Sequence, residues 1–171
     1  NGYGGGIYCA DGSSPDIVNC YIYYCGAEYG GAAIAADSGS FPWIDYCHIT
    51  TNSGNEDYFI PTEYGGGILI REAFGYITSS IIELHDVERG GGGIALIDSA
   101  ALVGGCVIFD NTVVANDDDI PQDGAGIYSE DSLLLVDSTL IHDNLASYTG
   151  GGIFAEGTCE SCSLTRITRS S

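Results

Sequence analysis

One phrase is written six times along this chain: YGGGI (Tyr3–Ile7), GGAAI (Gly30–Ile34), YGGGI (Tyr64–Ile68), GGGGI (Gly90–Ile94), GAGI (Gly124–Ile127) and GGGI (Gly150–Ile153). The isoleucines that close the copies, Ile7, Ile34, Ile68, Ile94, Ile127 and Ile153, stand 27, 34, 26, 33 and 26 residues apart. Self-similarity at a period of tens of residues marks a solenoid, in which each unit buries its apolar face only against its neighbours. Short and long units alternate.

A second motif keeps register with the first: IVNCYI (Ile17–Ile22), IDYCHI (Ile44–Ile49), ITSSII (Ile77–Ile82), VGGCVI (Val103–Ile108), LVDSTL (Leu135–Leu140) and CESCSL (Cys159–Leu164). Inward candidates alternate within it, as Val18, Cys20 and Ile22 do, which is the period of a strand with one buried face. No unit carries a helical stripe. Side by side, the copies stack Cys20, Cys47, Ser80, Cys106, Ser138 and Cys162 in one column, and Ile22, Ile49, Ile82, Ile108, Leu140 and Leu164 in another. Parallel in-register strands ~4.8 Å apart set each side chain on its counterpart in the next coil. Glycines ahead of the first strand permit a tight corner and close approach of coils. The expected fold is all-β, a single-stranded parallel β-helix of about six coils in one domain, at approximately residues 1–28, 29–63, 64–89, 90–123, 124–149 and 150–171.

The paired motif, glycines plus an aliphatic followed by a Cys-x-Ile strand, resembles the right-handed parallel β-helix of the pectate-lyase-like superfamily. More narrowly it is similar to the polymorphic outer-membrane protein repeats, marked by Gly-Gly-Ala-aliphatic and Phe-x-x-Asn. The second mark stands here as ITTN ending at Asn52, IFDN ending at Asn111 and IHDN ending at Asn144, with Cys25 and His85 near that position elsewhere. The resemblance implies a right-handed coil, secreted or displayed at the cell surface, adhesive or structural. Its superfamily also contains polysaccharide lyases and hydrolases.

Charge narrows the partners. Against 24 acidic residues stand four arginines and no lysine, a formal net charge of −20. Such a surface repels nucleic acid and anionic lipid and attracts cations, which excludes DNA or RNA binding. No stretch approaches the ~18 apolar residues of a membrane span. The chain starts at Asn1 with neither a methionine nor a signal peptide, as expected of a mature product or a fragment.

The long units carry extra residues after the second motif, Ser53–Glu63 and Asn116–Asp123, which predicts loops on one side of the coil. These hold Glu56, Asp57 and Glu63, and Asp117, Asp118, Asp119 and Asp123. The second cluster offers hard oxygen ligands to calcium, the one cofactor considered. The preferred reading is a solvated acidic loop, because no Asp-x-Asp-x-Asp-Gly spacing is present. Seven cysteines leave at least one unpaired. Cys9, Cys20, Cys47, Cys106 and Cys162 fall at inward positions, where a thiol acts as a small hydrophobe. Cys159 and Cys162 have the spacing of half a zinc site, without a second half.

Enzyme chemistry has one candidate constellation. His85 and Asp86, Asp110, and His142 and Asp143 fall near one edge on three successive coils, and carboxyls on alternate coils would stand ~9.6 Å apart, a spacing that suits an inverting glycosidase. The candidate catalytic residues are therefore Asp86, Asp110, His142 and Asp143. Against them, Asp-Asn and His-Asp at strand ends are ordinary turn chemistry, and the Asn52, Asn111 and Asn144 column reads as amides tolerant of left-handed backbone. The favoured reading is non-enzymatic. Outward aromatics, among them Tyr8, Tyr21, Tyr23 and Tyr128, suit sugar stacking or protein contact, so a carbohydrate or cell-surface partner is expected. At the ends, Arg166 and Arg169 balance Glu156 and Glu160 in coil six, whereas coil one holds Asp11, Asp16 and Glu28 with no cation. Coil six is expected to stack on coil one of another copy, and such a head-to-tail contact propagates a filament.

Overall fold

A computed structural model describes residues 2–53, 62–114 and 122–157, with the backbone of 165–168. Coil one contains β1 (Ile7–Cys9), β2 (Asp16–Val18) and β3 (Tyr21–Tyr23). Coil two contains β4 (Ile34–Ala36), β5 (Trp43–Asp45), β6 (His48–Thr50) and β7 (Thr62–Tyr64). Coil three contains β8 (Ile68–Arg71), β9 (Phe74–Thr78), β10 (Ile81–Glu83) and β11 (Asp86–Gly90). Coil four contains β12 (Ile94–Ile97), β13 (Ala100–Gly104), β14 (Val107–Phe109) and β15 (Thr112–Val113). Coil five contains β16 (Ile127–Glu130), β17 (Leu133–Asp137), β18 (Leu140–His142) and β19 (Leu145–Ala146), and coil six β20 (Ile153–Glu156) and β21 (Thr165–Thr168).

Each sheet collects the same segment from successive coils, and its strands pair in parallel. The first sheet runs β1-β4-β8-β12-β16-β20, the second β2-β5-β9-β13-β17-β21, the third β3-β6-β10-β14-β18 and the fourth β7-β11-β15-β19. The repeated phrase explains the first. Its isoleucines pair in one row from Ile7 to Ile153, and Ile34, Ile68, Ile94 and Ile127 are completely buried. Gly65 turns the chain into this sheet at φ 59°, where a Cβ would lie 2.4 Å from the Ile68 carbonyl oxygen. A side chain there meets both a left-handed backbone and a clash. The next glycines close the gap between coils: a Cβ on Gly67 would stand 2.6 Å from the carbonyl oxygen of Gly93.

The corners correct the sequence reading in three places. Between the second and third sheets the backbone is left-handed at Asn19, Tyr46, Ser79, Gly105 and Ser138, so the period-two alternation does not run through the second motif. Its phase resets there. Ile17 therefore points inward, in a row with Ile44, Ile77, Val103 and Val136, and Val18 is exposed. In coil five the reset shifts the expected columns by one residue. Ile141 pairs with Ile108, and Thr139 stands on Cys106 with its Oγ1 accepting the Cys106 N–H at 3.3 Å. Ser138 is the corner itself and Leu140 faces out. Cys162 and Leu164 lie outside the described residues. The third correction concerns the asparagines. The left-handed residues of the next corner are Tyr24, Thr51, Leu84, Asp110 and Asp143, each one position before the asparagine column.

Candidate functional site

The asparagine column is a buried polar ladder rather than a set of turn residues. Asn144 Oδ1 accepts from Asn111 N–H at 3.1 Å and from Asn111 Nδ2 at 2.9 Å, and Asn111 Oδ1 accepts from His85 N–H at 3.2 Å. Asn52 N–H donates to His85 Nδ1 at 3.0 Å, and Cys25 N–H donates to Asn52 Oδ1 at 2.9 Å. His85 Nδ1 also lies 3.0 Å from the Asn52 carbonyl oxygen, and Nε2 lies 3.2 Å from the Ile49 carbonyl oxygen. His85 is 1% exposed, and burial lowers its pKa to about 4, so the ring is neutral at physiological pH. It holds the corner, as the asparagines above and below do.

The candidate catalytic residues separate accordingly. Asp110 and Asp143 occupy adjacent rungs of one exposed corner, because Phe109 pairs with His142 just before them. His142 stacks on Phe109 at 5.1 Å and its Nδ1 lies 2.8 Å from Asp143 Oδ2. Leu84, not Asp86, shares their row. Asp86 starts the next strand, in register with Ser53 and Thr112. Asp123 is buried, and its Oδ1 accepts from the Thr149 backbone N–H at 3.0 Å and from the Thr149 hydroxyl. That carboxylate pins the turn into coil six. Asp117, Asp118 and Asp119 lie outside the described residues. Among the described residues no group of three or more His, Cys, Asp or Glu side chains can hold a metal ion. Cys20 stands one coil from Cys47, since Tyr21 pairs with His48, and Cys9, Cys20, Cys25, Cys47 and Cys106 are free thiols. Burial pushes the Cys106 thiol up to about 11, which makes it inert as a nucleophile.

The outer face of the first sheet is apolar but covered. Ala35, Leu69, Ala95 and Tyr128 form its central row and are buried, with Tyr3, Tyr64, Ile97 and Phe154 packed against them; Phe154 and the exposed Tyr8 are the row's end members. Tyr128 thus points out of the coil, as expected, but is 6% exposed, stacked on Phe154 at 5.7 Å and tilted against Tyr64 at 5.6 Å. Tyr8, Tyr21 and Tyr23 are exposed as read from the sequence. Beside this roof, Arg71 Nη2 donates to Asp37 Oδ2 at 2.5 Å and its Cζ lies 4.3 Å over the Tyr3 ring. Burial would raise the Asp37 pKa, but the Arg71 hydrogen bond and charge outweigh it and hold the carboxyl below its ordinary value. This cross-coil pair was not legible in the repeat pattern.

The outer face of the second sheet is apolar and open. Trp43 pairs with Tyr76, then Leu102 and Leu135; in the neighbouring row Phe74 pairs with Ala100 and Ala100 with Leu133. Phe41 packs edge-on to Phe74 at 6.3 Å and against Tyr76 at 5.1 Å. Phe41, Trp43, Phe74, Tyr76 and Leu133 are all exposed, Phe74 to 57%. Ala100, small between large neighbours on both adjacent coils, leaves a dent, and the result is a groove of about 420 Å³ walled by Phe41, Phe74, Tyr76, Leu102 and Leu133. The signal for it lay in the four residues FPWI, FGYI, AALV and LLLV that lead into the second motif, with outward residues at first and third place. Those segments fell largely outside the two motifs that defined the repeat.

The model of a right-handed beta helix region matches residues 1–168. The chain belongs to that family. No curated protein and no solved structure matches it. In this β-helix, therefore, the hand of the coil is right, and the four sheets described above are the faces of one continuous superhelix whose turns are the coils. Among the described residues its surface offers an apolar groove across several coils. The carboxylates at Asp110 and Asp143 occupy a different corner from that groove, on the far side of the third sheet.

Proposed function

We propose that this β-helix is a non-catalytic structural or adhesive module of an extracellular or cell-surface protein, and that it engages its partner through the outer face of the second sheet. One observation carries the reading: Phe41, Phe74, Tyr76 and Leu133 remain exposed on a groove that crosses successive coils, with the exposed Trp43 next to Tyr76 in its row. An apolar patch of this kind on a rigid scaffold is characteristic of an interaction site. The family resemblance and the acidic surface support an extracellular setting. The end-to-end filament expected from coils one and six rests on Arg166 and Arg169, whose side chains lie outside the described residues, so the reading is built on the sheet face instead. Panels of oligosaccharides and peptides, titrated against the emission of Trp43, test it. Saturable binding without product release from polysaccharide is expected. Turnover of a polysaccharide that disappears in Asp110→Asn or Asp143→Asn would replace it with the hydrolase reading.

A further inference from the structure

The groove is bordered by carboxylates, and that decides what fits it. At the corner between the first and second sheets the left-handed positions are Asp11, Ser38, Glu72, Asp98 and Asp131, so three acids follow one another on successive coils three, four and five. Glu72, Asp98 and Asp131 line one depression together with Phe74, Ala100 and Leu133, the same residues that wall the apolar groove. On the opposite border Asp45, Thr78, Gly104 and Asp137 form the outward row beyond Trp43, Tyr76, Leu102 and Leu135. At the coil-six end the backbone of Arg166 is in register with Leu135.

A left-handed corner is met most cheaply by glycine or asparagine, and Glu72 at φ 47° is a strained choice. Stacked carboxylates ~4.8 Å apart also repel. The repulsion falls when cations lie along the row; the backbone cost stays. A second copy of this chain would set carboxylates against carboxylates, which argues against self-pairing through this face.

We propose that the groove takes a basic amphipathic helix, with an apolar stripe seated on Phe74, Ala100, Leu102 and Leu133 and Lys or Arg side chains on both flanks. This rests on the second-sheet reading above and names its partner class. The pitch suits it: a helix advances ~5.4 Å per turn against ~4.8 Å per coil, so four turns slip by about half a coil over four coils, a gap that long Lys and Arg side chains span. Apolar burial supplies the affinity and the flanking charges the selectivity.

The test uses the whole chain and a synthetic helix of about 14 residues with a leucine stripe flanked by lysines, read by the emission of Trp43, the single tryptophan. Expected are a saturable blue shift and binding at least about tenfold tighter than that of the same leucine stripe flanked by glutamates, weakening as salt rises. The triple change Glu72→Gln, Asp98→Asn and Asp131→Asn should lose about tenfold, and Glu28→Gln with Glu88→Gln almost nothing. Phe74→Ser with Leu133→Ser should abolish the shift. Should that double variant fail to fold, the triple carboxylate change against the Glu28 and Glu88 control still decides, since attraction to the whole body would treat the two sets alike. Equal binding of both peptides would overturn the proposal by showing that the flanking carboxylates select nothing, and lysine-peptide binding that survives Phe74→Ser with Leu133→Ser would overturn it as mere attraction to an acidic body. A Trp43 response to neutral oligosaccharide with none to the peptide would overturn the helix and keep the sheet face as a binding site. No response to any probe would sink both.

Discussion

The outer faces of the first and second sheets are built by the same rule and end differently. Both put a row of apolar side chains outward. On the first, Tyr3 and Tyr64 reach over the row from the preceding corner, while Gly30 and Gly90 stand at the alternate coils of that corner. A Cβ on Gly30 would lie 2.5 Å from Leu69 Cδ2, and one on Gly90 2.7 Å from Tyr128 Cδ2. Large and small thus alternate from coil to coil so that the roof and the row beneath it interdigitate. On the second sheet the preceding corner supplies Glu72, Asp98 and Asp131 instead, which border the row without covering it. A β-helix seals or opens a face by what it places at the corner before it, and the open one is where a partner has apolar area left to bury.

This contrast predicts a hierarchy of effects. Leu69→Ala, under the roof, should cost about 2–5 kcal/mol in chemical denaturation, whereas Leu133→Ala on the open face should cost under about 1 kcal/mol. Equal costs would erase the distinction. The shared interior gives the next effect. The folded His85 has its pKa lowered to about 4, so its contribution is present above the unfolded value near 6.5 and is lost as pH falls toward 4. Acid titration of stability should show a loss of roughly 3 kcal/mol across that window, absent in His85→Asn, which restores the amide of the neighbouring rungs. Smaller again, Gly90→Ala should cost roughly 1–3 kcal/mol, because the buried Tyr128 ring has to shift. An unchanged melting temperature would show that the roof is loose. Smallest in stability is Phe74→Ala, expected to move unfolding by under about 1 kcal/mol yet to weaken partner binding several-fold.

The repeat, the parallel pairing and the isoleucine row were legible because stacking like on like leaves its record in the sequence at fixed intervals. The corners were not. Ser138 is a left-handed residue of a type that rarely marks one, and it and Asn19 each reset the inward phase, so Val18 and Leu140 read as core although they face water. Asn52, Asn111 and Asn144 announced themselves as a column, but whether an amide turns the chain or bonds the next coil depends on which neighbour takes the positive φ. Leucine and tyrosine at Leu84 and Tyr24 gave no hint that they would. The open groove was hidden for another reason: outward apolar residues carry no periodic signal that separates a roofed row from a bare one. Tyr128 and Tyr76 look alike in sequence, and only the glycine and tyrosine placement at the preceding corner distinguishes them.

Hydroxyl-radical footprinting of the native chain, read residue by residue by mass spectrometry, tests the roofed and open faces against each other in one sample. Phe41, Trp43, Phe74 and Tyr76 should be modified heavily, and Tyr128 and Leu69 should be protected until the chain unfolds. Comparable modification of Tyr128 and Tyr76 in the folded state, or protection of Phe74 and Tyr76 to the level of Leu69, would contradict the account.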